Sequence, residues 1–237
     1  MSRDAFCQAL LDAIEPWGLR PDERQLGLLW AHFERMVDAN RAFNLTRLTD
    51  PVAAATQLYA DSLSVIVWAR GASAAVQHVI DVGTGAGFPA IPLAVLEPDW
   101  NITALDGTAK KVRFVSECVV ALGLKNVQAV HARAELWHPP TRADLAVAKA
   151  VGPLADSLRF CERLVRTNGF GLVFKTPKVP AEELNAAQAS AVQLGFERHE
   201  PFAYVIRAPD GPIERVLHVY RKVRESAARP RGRRQRR

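Results

Sequence analysis

Apolar residues recur along the first seventy positions at the spacing of a helix. Leu26, Leu29, Trp30, Phe33, Met36 and Val37 fall three and four apart, a single stripe down a 3.6-residue turn, and Pro21-Asp22 supplies a start. A break follows at residues 40–50. Pro51 suits the first turn of the next helix, which runs through Leu58, Leu63 and Val67 to Gly71. From residue 78 the pattern changes. Short β-branched runs at 78–82, 101–106, 126–131, 143–149, 169–175, 201–207 and 214–221 read as strands, and helical patterns fill 88–96, 109–122, 154–167 and 180–194. This alternation predicts an α/β protein, a doubly wound, seven-stranded and mostly parallel sheet covered on both faces. Only a Pro/Gly/Asp turn at 208–212 separates the last two strands, so they should form an antiparallel hairpin at one end of the sheet. The organisation expected is an N-terminal helical region over 1–70, a Rossmann-like domain over 71–225 and a basic tail over 226–237.

Composition narrows the class. Hydrophobic residues make up 49% of the chain and charged residues 24%, which is ordinary for a soluble globular protein with a real core. The apolar runs are too short to cross a bilayer, and the first residues carry no apolar leader, so a cytoplasmic protein without a membrane partner is expected. Cys7, Cys118 and Cys161 are scattered, which argues against a disulfide framework or a metal site. The net charge of +6 is concentrated at one place: the segment 229–237 holds six arginines and no acid, and without it the chain is neutral. Such a run can contact phosphates or can simply be a solvated end.

The most informative segment is His78-Val-Ile-Asp-Val-Gly-Thr-Gly-Ala-Gly-Phe-Pro, in which a buried strand runs into Gly83, Gly85 and Gly87 just before a helix. Glycines permit positive φ and let a ligand approach the backbone at the carboxyl edge of the sheet. A structural turn needs one or two; three at alternate positions point to a nucleotide-type cofactor. The dinucleotide fingerprint places its third glycine where this chain has Phe88. That side chain would crowd a pyrophosphate; it can flank the amino-acid end of S-adenosylmethionine, or pack in the core. Asp106, at the end of the next strand, can accept both hydrogen bonds of a ribose diol, or cap the following helix. Asp81 can face a positively charged methionine end or cap the turn.

With these residues in place the chain resembles the glucose-inhibited division protein B family, the bacterial small-subunit ribosomal RNA guanine-N7 methyltransferases. The resemblance covers residues 20–222 and rests on Asn44-Leu-Thr46, Asp61-Ser-Leu63, Asp81 to Pro89, Ile91-Pro-Leu93, Asp106 with Lys110, Arg133-Ala-Glu135 and Ala150 to Leu154. It implies the class I methyltransferase fold, S-adenosylmethionine as methyl donor and a guanine of 16S ribosomal RNA, in the small ribosomal subunit, as acceptor. Carried over by position, cofactor contacts fall at Gly83, Phe88, Ala134, Glu135 and Lys149. Residues at the place of Glu135 meet the adenine edge in this fold class, the alternative being a surface acid paired with Arg133. Lys149 stands where the family has arginine, Leu58 where it has histidine, and Thr176 and Ala90 where it has glycine.

Guanine N7 has an exposed lone pair and no proton, so its methylation needs alignment and exclusion of water rather than a general base. No Asn/Asp-Pro-Pro-Tyr segment for exocyclic amines is present. Lys149 and Lys175, at the carboxyl ends of strands, are the cationic candidates for RNA phosphate or guanine O6, with Lys149 the expected catalytic residue; either can instead snorkel at a sheet edge. Two rival readings stay open: an RNA-binding assembly factor without catalysis, and a nicotinamide-dependent oxidoreductase.

Overall fold

Asp22 and Gln25 open the second helix with a reciprocal cap: the Asp22 carboxylate accepts the Gln25 amide at 2.7 Å and the Gln25 side chain accepts the Asp22 amide at 2.9 Å. In the computed structural model, which describes residues 2–226, the N-terminal layer comprises α1 (Arg3–Ile14), α2 (Glu23–Asn40), α3 (Pro51–Ala54) and α4 (Asp61–Gly71). The six apolar positions read from the α2 pattern are all buried, and His32 is buried with them. A π-helical turn, Ala55–Ala60, joins α3 to α4 without a break.

The sheet is built from β1 (His78–Val82), β2 (Asn101–Asp106), β3 (Val127–His131), β4 (Ala143–Lys149), β5 (Val165–Lys175), β6 (Phe196–Arg198), β7 (Phe202–Ile206) and β8 (Ile213–Lys222). Between them run α5 (Ala90–Leu96), α6 (Ala109–Ala121), α7 (Leu154–Glu162) and α8 (Ala181–Leu194). The strand order is β3-β2-β1-β4-β5-β8-β6, with β7 also on β8; β1 to β5 are parallel and β8 is antiparallel to β5. Successive side chains of a strand face opposite ways, and this splits the core in two. Val79, Ile102, Leu145 and Val147 pack under the N-terminal layer, α5 and α6, whereas Ile80, Val82, Ala146 and Ala148 pack under α7 and α8.

Three expectations are corrected. The sheet has eight strands, because the edge partner of β8 is interrupted at His199-Glu200-Pro201 and Pro201 has no N–H to donate to a ladder. The expected antiparallel hairpin is present at one end of the sheet, with Ile206 opposite Ile213 and β8 pairing inward to β5. Helix α7 stops at Glu162 rather than 167, and β5 begins at Val165. Leu158, Cys161 and Leu164 continue a helical spacing, yet Val165 already pairs with Ala143 across an irregularity in register. Finally, Pro51–Gly71 is one helical run of 21 residues with mean hydropathy 1.2, long and apolar enough to cross a membrane by length and composition. The helix is where the sequence predicts it, but it corrects the expectation that every apolar run is too short to cross a bilayer. Its apolar window is 72% buried inside the protein, against α1, α5 and β7, as in a core helix.

Candidate functional site

The glycine loop leaves β1 at Gly83 and is stitched at once to the neighbouring strand: the amides of Gly83 and Thr84 both donate to the Leu105 carbonyl, at 2.8 and 3.0 Å. Gly83 (φ 71°) and Gly87 (φ 96°) occupy the left-handed region. A Cβ on Gly83 would stand 3.2 Å from Val151, and one on Gly87 would stand 2.7 Å from Ile91. The loop backbone therefore has the conformation and closeness that only glycine supplies. Gly85 also has positive φ, and its amide donates to Asp106 Oδ2 at 3.1 Å.

Asp106 ends β2 with its carboxylate almost wholly buried, and Oδ1 accepts the Thr108 amide at 2.8 Å. It is not the cap of α6, whose N-cap residue is Thr108 with no side-chain cap; it closes the turn before that helix and ties down the loop. Two oxygens offer about four acceptor sites, so the carboxylate keeps capacity for a hydroxyl-bearing ligand. Beside it opens a pocket of about 390 Å³, lined by Gly83, Asp106, Lys111, Ala134, Glu135 and Val151 among others. A broader hollow of about 860 Å³ lies at the far edge of the sheet, between α8 and Arg224, remote from the carboxyl ends of β1 and β2.

Asp81 is fully buried. Its Oδ2 accepts the Ala90 amide at 3.1 Å, capping α5, but Oδ1 has no partner, and neither does the buried hydroxyl of Thr84. Burial raises the Asp81 carboxyl to about 7, against the pull of the neighbouring Thr84 hydroxyl, the Ala90 amide and the charge of Lys149. The Thr84 hydroxyl lies beside the Asp81 carboxylate, which keeps acceptor capacity beyond it, and a buried carboxylate at a glycine loop fits a group with hydrogen-bond donors and positive charge.

The remaining expected residues divide. Ala134 and Glu135 lie on the pocket wall; the Glu135 carbonyl accepts from Arg163 at 3.5 Å, and no ion pair with Arg133 occurs among the described residues. Phe88 is on the other side of the loop, buried with ring centroids 5.0 Å from Tyr59 and 5.3 Å from His32. Lys149 also stands off the pocket. Its ammonium lies 2.8 Å from the Asp61 carboxylate, 3.3 and 3.4 Å from the Leu58 and Gln57 carbonyls, and 5.2 Å from the Phe174 ring centroid. Asp61 in turn accepts from the Tyr204 hydroxyl at 2.6 Å. Lys175 pairs with Glu183 at 2.7 Å and donates to the Gly152 carbonyl at 3.0 Å, steadying the loop after β4 that carries Val151.

Sequence reasoning missed Val151, Lys111 and His32. Val151 carries no chemical signal. Lys111, one turn into α6, was readable only as a surface charge. His32 was hidden in the apolar stripe of α2, and its place under the loop is a tertiary fact: Nε2 is 2.9 Å from the Ala86 carbonyl oxygen.

Over residues 25–204 the sequence matches the family described as rRNA small subunit methyltransferase G. The chain belongs to that family. Curated relatives named ribosomal RNA small subunit methyltransferase G include one from Leuconostoc citreum, 33% identical over 98% of this chain and 97% of its own. Another, from Bordetella avium, is 37% identical over 90% of this chain and 92% of its own. Among solved structures, the YcgJ protein of Bacillus subtilis superposes with a TM-score of 0.52 at 16% identity, covering 69% of this chain and 98% of that one. A SAM-dependent methyltransferase from Methanosarcina mazei gives 0.50 at 13% identity, over 63% and 94%. The fold is that of a class I methyltransferase. Members of the methyltransferase G family thus share with this chain the stretch that contains the glycine loop, Asp106, Glu135 and Lys149.

Proposed function

We propose that the chain transfers the methyl group of S-adenosylmethionine to N7 of a guanine in 16S ribosomal RNA, working on the small ribosomal subunit in the cytoplasm. The observation that carries this reading is the pocket itself, where Gly83 at the head of the glycine loop, the Asp106 carboxylate, Ala134 and Glu135 meet, with Asp81 and Thr84 buried behind the loop. Asp106 would hold the ribose hydroxyls, Ala134 and Glu135 the adenine edge, and Asp81 with Thr84 the methionine ammonium. Gly83, Gly85 and Gly87 let the backbone approach, and Phe88 braces the loop from behind.

When bound, the sulfonium supplies an activated methyl group. Its methyl group would pass to the N7 lone pair with the donor's sulfur as leaving group, and no proton would have to leave N7. The protein's share is alignment in a site that excludes water. Lys149 would act on this site as a point charge beside Asp81, held by Asp61, rather than as a proton carrier.

Mass mapping of modified guanines tests the reading. Wild type should restore one N7-methylguanine to small-subunit RNA lacking it. Asp106→Ala should bind S-adenosylhomocysteine at least about tenfold more weakly, or about 1.4 kcal/mol, while staying folded. RNA binding without methyl transfer would replace the enzyme by an assembly factor.

A further inference from the structure

His32 is fully buried on the inner face of α2, and both of its ring nitrogens are engaged. Nε2 lies 2.9 Å from the carbonyl oxygen of Ala86, and Nδ1 lies 2.8 Å from the hydroxyl oxygen of Tyr59. A carbonyl can only accept, so Nε2 carries the proton and donates it to Ala86. Nδ1 is then the acceptor, and the Tyr59 hydroxyl donates to it. Tyr59 belongs to the π-helical turn Ala55–Ala60 and is itself fully buried. Two hydrogen bonds in series thus connect that turn, through α2, to the glycine loop.

Ala86 sits between Gly85, whose amide is held by Asp106, and Gly87. The loop is fastened from both sides, by a carboxylate at the pocket and by an imidazole from the N-terminal layer. Three glycines at alternate positions leave this backbone wide conformational freedom; backbone bonds hold the Thr84, Gly87 and Phe88 peptides, and the Ala86 carbonyl is held by His32. Space filling alone would be met by an apolar ring, since Phe88 and Tyr59 already pack around the site. An imidazole buried without partners would carry a desolvation cost, and here both nitrogens are used.

We propose that His32 is a positioning residue for the methyl-donor site: oriented by Tyr59, it holds the Ala86 carbonyl and so sets the Gly85–Gly87 backbone, which is tied to the pocket through the Gly85 amide on Asp106 and through Gly83 at the head of the same loop. The N-terminal helical layer is then part of the cofactor site, although it supplies no side chain to the pocket wall. This rests on reading that pocket as the donor site. Binding of S-adenosylhomocysteine to wild type, and its loss in Gly83→Val, tests that reading separately.

The discriminating pair is His32→Gln and His32→Asn. The amide nitrogen of glutamine reaches the place of Nε2 and can still donate to Ala86; that of asparagine reaches only the place of Nδ1. Calorimetry with S-adenosylhomocysteine should give an affinity within about threefold of wild type for Gln and about tenfold weaker for Asn, the size of one lost hydrogen bond. The KM for S-adenosylmethionine should rise with it while kcat stays within about twofold. A purely structural role would lower the unfolding temperature of both variants and leave the affinities alike, and equal affinities overturn the proposal. Tyr59→Phe keeps the ring packing and removes only the hydroxyl, so it serves should His32→Asn fail to fold. It should weaken binding by about threefold at constant kcat, and unchanged affinity again overturns the proposal.

Discussion

Asp81 is a carboxyl group taken wholly out of water with one oxygen bonded and the other bare. Burial raises its pKa to about 7, so near neutrality and below the ligand-free site holds a proton that a cationic ligand would expel. The bound state then carries fewer protons than the free state, so affinity should climb as pH rises through about 7 and level off above it. Calorimetry at pH 7 in phosphate and in Tris should show different apparent heats, the difference reporting the released proton. Asp81→Asn should abolish that difference, and identical heats in wild type would remove Asp81 from the ammonium site. At this scale the sequence was legible where chemistry and spacing coincide. Gly83 and Asp106 are where the strand-to-glycine pattern puts them. Phe88 was ambiguous because an aromatic after a glycine loop can face either way, and only the packing of Tyr59 and His32 decides it.

Among the elements, α4 and β4 are joined by a pair of charges rather than by apolar packing alone. The Lys149 and Asp61 side chains are only 13% and 5% exposed, and each is the other's main counter-charge, with the Tyr204 hydroxyl and Arg215 also at Asp61 and the Gln57 and Leu58 carbonyls at Lys149. Removing one partner of such a pair costs about 3 kcal/mol or more because the remaining charge is left buried. Lys149→Ala should therefore lower stability by about that amount, measured by denaturant unfolding, and Lys149→Arg should recover much of it. The double variant Asp61→Asn, Lys149→Met should be more stable than the sum of the single losses. If Lys149→Ala is as stable as wild type yet inactive, the lysine acts on substrate directly. This pairing could not be read from the sequence, which shows Lys149 and Asp61 in separate motifs with no sign that β4 ends against α4. The same limit applies to β6: three residues beside a proline give no periodicity to detect.

The molecule as a whole should be sensitive to mild acid. His32 and His218 are both lowered to about 4, chiefly by burial, with Arg198 and Lys175 adding to the effect at His218. Between pH 6.5 and 4 the unfolded chain binds protons that these folded rings refuse, whereas Asp81 binds one in the folded state that the unfolded chain releases. The balance is one proton in favour of unfolding, a slope of about 1.4 kcal/mol per pH unit. Stability should be complete near neutrality and fall by about 3 kcal/mol from pH 6.5 to 4. Asp81→Asn should steepen the fall, and a flat profile for both proteins would refute the assignment. The parallel sheet with helices on both faces was legible at this scale, since alternating periods leave few other arrangements. The arginine-rich segment 229–237, expected to be a basic tail, lies outside the described residues.

The position of β8 bears on how the chain comes into being. It is the last strand among the described residues and pairs with β5, β6 and β7, so β6 and β7 have no partner, and β5 lacks its outer one, until Ile213–Lys222 has been synthesised. Translation proceeds from the N-terminus, and β1 to β5 can assemble beforehand with the outer edge of β5 bare. Such an edge can template pairing with another chain, and the nascent protein is exposed to that hazard while α8 and the two short strands are being made. A chain cut short of Ile213 would keep its glycine loop, its Asp106 and its His32 bond, and would still carry an open sheet.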